Sequence, residues 1–238
     1  MAIDSRRLMH TMARQLKGVI FDVDGTLVDS NDLHIEAWRE AFAHHGIGLK
    51  RDEVHAQIGK GGDQLIPVFL TQDEVEKFGQ QLDKLRVEIF ARDYLPQARP
   101  FPGVRALFER LRGDGLKIAL ATSAPAAELE THVKNLGVEH LVTGMTSADD
   151  ADRSKPCPDI FEAALALLDD VPREQALVVG DTPYDALAAA RAGMPTIALT
   201  SGGFDEETLR KAGAIAVYVD VPDLLERYDE WVKGAVTA

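Results

Sequence analysis

Cysteine is almost missing from this sequence: the single Cys157 cannot close an intramolecular disulfide, and its neighbours Pro156 and Pro158 make no metal-ligand spacing. A disulfide framework and a thiolate metal site are thereby excluded, Cys157 reads as inert, and a reducing cytoplasmic location is the expectation. Long apolar runs are lacking too. No stretch approaches the roughly 18 residues that a membrane span needs, and the opening MAIDSRRLMHTMARQ has no apolar centre of a secretory signal. Aromatic residues make up only 6% of the chain, so the core must be mostly aliphatic. Basic residues are outnumbered, 26 Lys and Arg against 39 Asp and Glu, and the formal charge of −13 repels polyanions. Neither nucleic acid nor an anionic membrane is expected as a partner.

What is present is ordinary globular material, 45% hydrophobic and 27% charged, and 238 residues at about 150 per domain allow one to two domains. Residues 1–15 read as a loose tail. Leu16 to Val23, LKGVIFDV, is an apolar run too short for a helix and rich in β-branched and aromatic residues, hence a buried strand. Similar runs recur at Leu116–Ala121, weakly at Leu141–Val142, and at Ala176–Val179, Thr196–Leu199 and Ala214–Val219. Helical segments lie between and after them: Val104–Arg112, Ala126–Leu136, Asp159–Leu168, Tyr184–Ala192, Glu206–Ala212 and Asp223–Val232. Such alternation predicts a doubly wound α/β core, a Rossmann-like parallel sheet with helices on both faces.

The alternation fails from Ser30 to about Pro100, where no strand is predicted. Asp32–His45 puts Leu33, Ala37, Trp38, Ala41 and Phe42 on one helical face. Thr71-Gln72-Asp73-Glu74 is a capping-box signature, and after it Val75, Phe78, Leu82, Leu85 and Ile89 step by three and four as one long amphipathic helix. The expected organisation is therefore a core of residues 16–30 and 98–238 with an all-helical cap, 31–97, inserted after the first strand. The proline-rich exit LPQARPFPG suits a semi-rigid hinge.

Ligands of parallel open sheets sit beyond the carboxyl ends of the strands. The first strand ends in Asp22-Val23-Asp24-Gly25-Thr26, whose two carboxylates point the same way on an extended chain before Gly25 permits a sharp turn. Other strand ends carry Thr122-Ser123 and Gly180-Asp181, with Asp185 one helical turn further on, and Lys155 precedes a helix at Ser154-Lys155-Pro156. Two carboxylates 4 Å apart repel by roughly 4 kcal/mol at an effective dielectric of about 20, so four at one sheet edge require a cation. An all-oxygen donor set without His or Cys selects a hard ion such as Mg²⁺ over zinc. Carboxylates, Mg²⁺, a lysine and short hydroxyl side chains together suit phosphoryl transfer.

In these segments the sequence resembles the haloacid dehalogenase superfamily, in its branch of Mg²⁺-dependent phosphatases and phosphomutases with a helical cap. The family's four motifs are matched in order by Asp22-Val-Asp24-Gly25-Thr26-Leu27-Val-Asp29-Ser30, by Thr122-Ser123, by Lys155-Pro156-Cys-Pro158-Asp159-Ile160-Phe161, and by Gly180-Asp181-Thr182-Pro-Tyr-Asp185. The resemblance spans Leu16 to the C-terminus. It implies hydrolysis of a small-molecule phosphate monoester through an aspartyl-phosphate on Asp22. Asp24 is implied as acid and then base, with a pKa expected to be raised by neighbouring carboxylates. Thr122 and Lys155, with backbone N–H groups after Asp22 and Thr122, would hold the phosphoryl oxygens. Gly25, Thr26 and Ser123 are taken as further phosphate contacts. Mg²⁺ would bind the Asp22 carboxylate, the Asp24 backbone carbonyl and Asp181, with Asp185 a ligand or an orienting group behind Lys155 or the metal.

Blander readings stand beside these. Asp22 and Asp24 taken alone fit a strand-end turn, and Thr122-Ser123 fits a helix cap. Gly59-Lys60-Gly61-Gly62-Asp63 follows no strand and lacks the ending of a phosphate loop. It resembles instead the family's substrate-specificity loop, with Lys60 facing the core. His44 and His45 share no helix face and read as solvated, whereas His34 and Trp38 do share one, either packing the cap or touching substrate. A phosphomutase of the β-phosphoglucomutase type is the alternative, although that branch typically has an acidic residue before the aspartate that Asp181 matches. A receiver-like phospho-acceptor module is a further alternative, about half this length and without a place for a helical insert. The substrate and the oligomeric state, monomer or homodimer, are not legible.

Overall fold

The computed structural model describes residues 16–233, so the tail read at 1–15 lies outside the described residues. In chain order the strands are β1 (Gly18–Phe21), β2 (Val28–Asp29), β3 (Arg99–Pro100), β4 (Lys117–Ala121), β5 (Gly144–Thr146), β6 (Ala176–Gly180), β7 (Thr196–Leu199) and β8 (Ala216–Tyr218). Six of them form one parallel sheet in the order β5-β4-β1-β6-β7-β8, with Ile20 level with Ala119 on one side and Val178 on the other. The chain winds outward in one direction from β1 through β4 to β5, then in the other through β6 to β8. The strand order thus reverses beside β1, and a crevice is expected at the carboxyl ends there.

Burial on both faces explains the apolar runs. Val19 and Phe21 enter one core with Leu120, Leu107, Phe108 and Tyr228, while Ile20 between them enters the other with Phe161, Val178 and Ala189. The helices α1 (Asn31–His44), α2 (Arg51–His55), α3 (Gly62–Phe69) and α4 (Gln80–Ile89) lie between β2 and β3 and enclose a third core of Ile35, Trp38, Phe42, Leu65, Leu82 and Phe90. Thr71 opens the long helix as its capping box predicts: its Oγ1 accepts from the Glu74 N–H, and the Glu74 carboxylate accepts from the Thr71 N–H at 2.9 Å. The helix runs on past Ile89, with wide π-type turns at Val75–Gly79 and Phe90–Tyr94 on either side of α4.

Helices α5 (Val104–Gly113), α6 (Ala126–Leu136), α7 (Asp159–Ala166), α8 (Pro183–Arg191), α9 (Glu206–Lys211), α10 (Val221–Glu226) and α11 (Tyr228–Lys233) cover the sheet and its end. Three expectations need correcting. The strand read at Leu141–Val142 forms at Gly144–Thr146 instead; as an edge strand with Met145 exposed it needs no apolar run, and Leu141 and Val142 are half-buried packing ahead of it. The helix read at Asp223–Val232 is broken at Arg227, and the Trp231 indole N–H donates 2.9 Å across the break to the Leu224 carbonyl. Pairing was also missed at the two linkers: β2 and β3 lie antiparallel, Val28 opposite Pro100 and Asp29 opposite Arg99, and the Phe101 N–H donates to the Leu27 carbonyl at 2.9 Å. Among the described residues no helix is long and apolar enough to cross a membrane.

Leu82 is fully buried in the third core. Leu82→Ala is expected to lower the unfolding free energy by about 2–5 kcal/mol in urea titrations, and a loss below about 1 kcal/mol would mean that this core is not close-packed.

Candidate active site

The ladder of β1 ends at Asp22, whose N–H donates to the Val179 carbonyl at 2.9 Å. The chain then turns, with the Val23 carbonyl accepting from the Leu27 and Val28 N–H groups at 2.8 and 3.0 Å. Gly25 makes the turn possible in two ways: its φ of +77° disfavours any side chain, and a Cβ would overlap Asp181 and Asn31. Because the backbone leaves the extended form here, Asp22 and Asp24 point into adjacent clusters rather than into one.

Asp22, Asp181 and Asp185 form the first cluster, each nearly or fully buried, with carboxylate oxygens within 4.8 Å of one another. Lys155 lies among them, its ammonium ion-paired with Asp22 and 2.8 Å from Asp185 Oδ1. Asp185 is held in place by its other oxygen, which accepts from the N–H and hydroxyl of Thr182 at 3.0 and 2.7 Å in the capping box of α8. Asp181 accepts from Thr26 Oγ1 at 2.7 Å and Asn31 Nδ2 at 2.8 Å. Burial pushes Asp22 up to about 7, with the charges of Asp185 and Asp24 adding to the rise and Lys155 opposing it. Asp181 is likewise raised well above the carboxylate range by burial and by Asp22 and Asp185. Burial works against the Lys155 charge, but Asp185 and Asp22 outweigh it and raise its pKa. One ammonium therefore does not satisfy three buried carboxylates, and the donor set of oxygens suits a hard divalent cation.

Asp24 belongs to the second cluster. Its Oδ1 accepts from Ser30 Oγ at 2.7 Å and faces His34 Nε2 at 3.1 Å; its Oδ2 accepts from Thr122 Oγ1 at 3.0 Å. Glu128 and His132, one turn apart on α6, complete the group: His34 Nε2 lies 3.3 Å from Glu128 Oε1, and His132 Nε2 lies 3.5 Å from Asp24 Oδ1. Burial would raise Asp24, but the charge and hydrogen bond of His34 and the nearby His132 imidazole hold it well below the usual range. This runs against the expected raised pKa, because two imidazoles face the group and outweigh the carboxylates beside it. Burial works against a charge on His34 too, yet Asp24 and Glu128 outweigh it and push it up to about 9. The Asp24 carboxylate is thus paired with imidazole, and with Glu128 and His132 it forms a second group whose ligand atoms lie within 4.8 Å of one another.

A cleft opens over both clusters. Asp22, Asp24, Thr122, Ser123 and Lys155 form its floor, and His34, Trp38 and Arg86 reach it from the helices above, with Lys60 from the loop between α2 and α3. Lys60 Nζ donates to Gln57 Oε1 at 2.6 Å and sits 4.5 Å from the Tyr184 ring centre. The His34 ring stacks on Phe90 at 3.8 Å. Thr122 Oγ1 is engaged with Asp24 and with the Ala124 N–H, whereas the buried Ser123 Oγ has no partner. Neither caps α6, whose N-cap is Pro125. Gly25 and Thr26 sit beneath the cleft floor: Thr26 Oγ1 donates to Asp181 at 2.7 Å and lies 3.4 Å from Asp22 Oδ2, and a Cβ on Gly25 would overlap Asp181. Gly59 abuts the core: its φ is +99° and a Cβ would meet Thr182. The Tyr184 hydroxyl donates to the Ala56 carbonyl, His55 Nε2 lies 3.0 Å from the Gly202 carbonyl, and the Ser154 N–H donates to Asp63 at 3.1 Å, so α2 and α3 are seated on the strand ends.

Asn31, Glu128, His132 and Arg86 were not singled out from sequence. Arg86 sits between Leu82 and Ile89 on the buried face of α4, and Glu128 and His132 share the buried face of α6 with Leu129 and Val133. A charged residue inside an apolar stripe was the available signal.

A family model of haloacid dehalogenase-like hydrolases matches residues 19–199. The chain is 31% identical over 203 residues to a validoxylamine A 7'-phosphate phosphatase of Streptomyces hygroscopicus subsp. limoneus, covering 84% of this chain and 92% of that protein. It is 30% identical over 216 residues to a phosphoglycolate phosphatase of Rhodospirillum rubrum, covering 87% and 89%. Among solved structures, a hydrolase from Pseudomonas syringae superposes with a TM-score of 0.82 at 32% identity, covering 90% of this chain and 98% of that one.

Lys155 is the one lysine or arginine bound to the three-carboxylate cluster among the described residues. Lys155→Met is expected to cost about 3–5 kcal/mol in urea unfolding of metal-free protein, with part of the deficit recovered in millimolar Mg²⁺. A deficit that Mg²⁺ leaves unchanged would contradict the cation site.

Proposed function

The chain belongs to the haloacid dehalogenase-like hydrolase family, and from that premise we propose that it is a Mg²⁺-dependent phosphatase of a small-molecule phosphate monoester, acting through an aspartyl-phosphate on Asp22. The observation that carries this reading is the division of labour between two carboxylates two residues apart. Asp22 is fixed by Lys155 among oxygens that need a cation, and Asp24 is turned toward the helices and paired with imidazole. The phosphatases among the relatives support the reaction class.

Asp22, Asp181 and the Asp24 carbonyl would hold Mg²⁺, which when bound neutralises the phosphoryl charge so that an anionic nucleophile can approach. An Asp22 oxygen attacks phosphorus and the bond from phosphorus to the ester oxygen breaks. Lys155 and Thr122 take the phosphoryl oxygens on the floor, with Ser123, whose hydroxyl has no other partner, beside them. The leaving oxygen receives its proton from Asp24. At neutral pH that proton rests on His34 Nε2, 3.1 Å from Asp24 Oδ1, and returns across this contact as the ester bond breaks. In the second step ionised Asp24 takes a proton from water, water oxygen bonds to phosphorus, and the bond to Asp22 breaks. The lowered pKa keeps Asp24 ionised for this second step, and the paired histidine supplies the proton of the first.

The test is steady-state phosphate release from a panel of monoesters that includes phosphoglycolate and hexose phosphates, with isomer formation monitored. Multiple turnovers without isomerisation are expected; one phosphate per chain would indicate a phospho-acceptor, and net isomer formation a mutase. Asp22→Asn and Asp24→Asn are each expected to lower kcat by about a thousandfold or more with melting unchanged by more than a few degrees. Asp22→Asn within tenfold of the parent would remove Asp22 from the nucleophile's role. Chelator should abolish turnover and added Mg²⁺ restore it.

A further inference from the structure

Arg86 is unexplained by the reaction just described. It projects from α4 in the helical part of the chain, lines the cleft, and is 5% exposed. Its guanidinium stacks 4.8 Å from the Trp38 ring centre, a residue that also lines the cleft. Its ion pairing is poor: Nη2 lies 3.4 Å from Asp83 Oδ1, a carboxylate 40% exposed to water, and Nε has no hydrogen-bond partner. A guanidinium cannot shed its proton and offers five donors in a fixed plane, so burial with one long contact leaves most of its capacity unused. Buried arginines without a full partner are rare because the desolvation cost is not offset.

The distribution of charge across the cleft gives that unused capacity a direction. Among the described residues, the carboxylates lining it are Asp22 and Asp24, both on the floor, and these answer Lys155 and His34. On the opposite side Lys60 has an amide and an aromatic ring for company and no carboxylate. Two cations, Arg86 and Lys60, thus face a substrate's far end, and the only protein anion in contact with either among the described residues is the half-exposed Asp83, at 3.4 Å from Arg86.

We propose that Arg86, stacked on Trp38, binds a second anionic group of the substrate, a carboxylate or phosphate carried on the part of the molecule that departs with the ester oxygen. The inference rests on the phosphatase reading for its definition of the two ends. A planar guanidinium stacked on an aromatic face keeps its edge for bidentate contact with such an anion. Monoesters with a neutral remainder would leave the charge unanswered and be discriminated against.

Calorimetry on the full chain with Mg²⁺ tests this without turnover. Phosphonocarboxylates of two, three and four carbons, and the matching bisphosphonates, are compared with alkylphosphonates of equal length that lack the second charge. At one or more lengths the second charge is expected to tighten binding about tenfold or more. Arg86→Gln should cut that gain to below about twofold, while Arg86→Lys should keep part of it. The preference between carboxylate and phosphonate arms identifies the anion. Equal affinity for charged and neutral tails at every length, a gain that survives in Arg86→Gln, or an equal loss for both kinds of probe in that variant overturns the proposal. If the gain is present and no monoester is hydrolysed, the phosphatase reading fails and the anion site stands; if monoesters are hydrolysed and the gain is absent, the reverse holds.

Discussion

A buried ammonium shared by two of three carboxylates is the constraint around which this molecule is arranged. Lys155 reaches Asp22 at the end of β1 and Asp185 in the first turn of α8, joining segments more than a hundred residues apart. Buried ion pairs seldom add net stability, since desolvation consumes the attraction. Their value here lies in geometry. Asp185 is locked by a capping box, and Asp181 is locked by Thr26 from the β1 turn and Asn31 from the start of α1. Each carboxylate thus has its position set by a different element, and a cation placed among them would find its ligands already oriented.

The parts of the fold that read directly from sequence are those buried on both faces. The runs around β1, β4, β6 and β7 are apolar because helices cover each side of them, and the alternation of Val19 and Phe21 with Ile20 assigns them to opposite cores. At the edge this logic lapses, and Gly144–Thr146 pairs with β4 through backbone bonds that need no particular side chain. Two-residue strands such as β2 and β3 carry no periodicity at all.

The site was legible in the same uneven way. Strand-end aspartates, a glycine turn and a lysine before a helix point to one locus because topology brings the carboxyl ends together. The direction in which Asp24 faces was not legible, since it follows from the turn at Gly25 and from imidazoles contributed by α1 and α6. Glu128, His132 and Arg86 escaped because hydrophobic periodicity counts a charged residue on an apolar stripe as a blemish. Within a folded protein that same residue is the one most in need of a reason.

The antiparallel pairing of β2 with β3 has a consequence for the history of such a chain. Entry to and exit from the helical segment lie side by side, Asp29 opposite Arg99, so the segment closes on itself at the junction. For the sheet, everything between them is a loop whose ends already meet, and closure entropy grows only slowly with the length of such a loop. Lengthening, shortening or exchanging that segment costs the sheet little. Change in the outer helices can therefore proceed at one splice point, provided that Asn31 and His34 at its entry stay to hold Asp181 and Asp24.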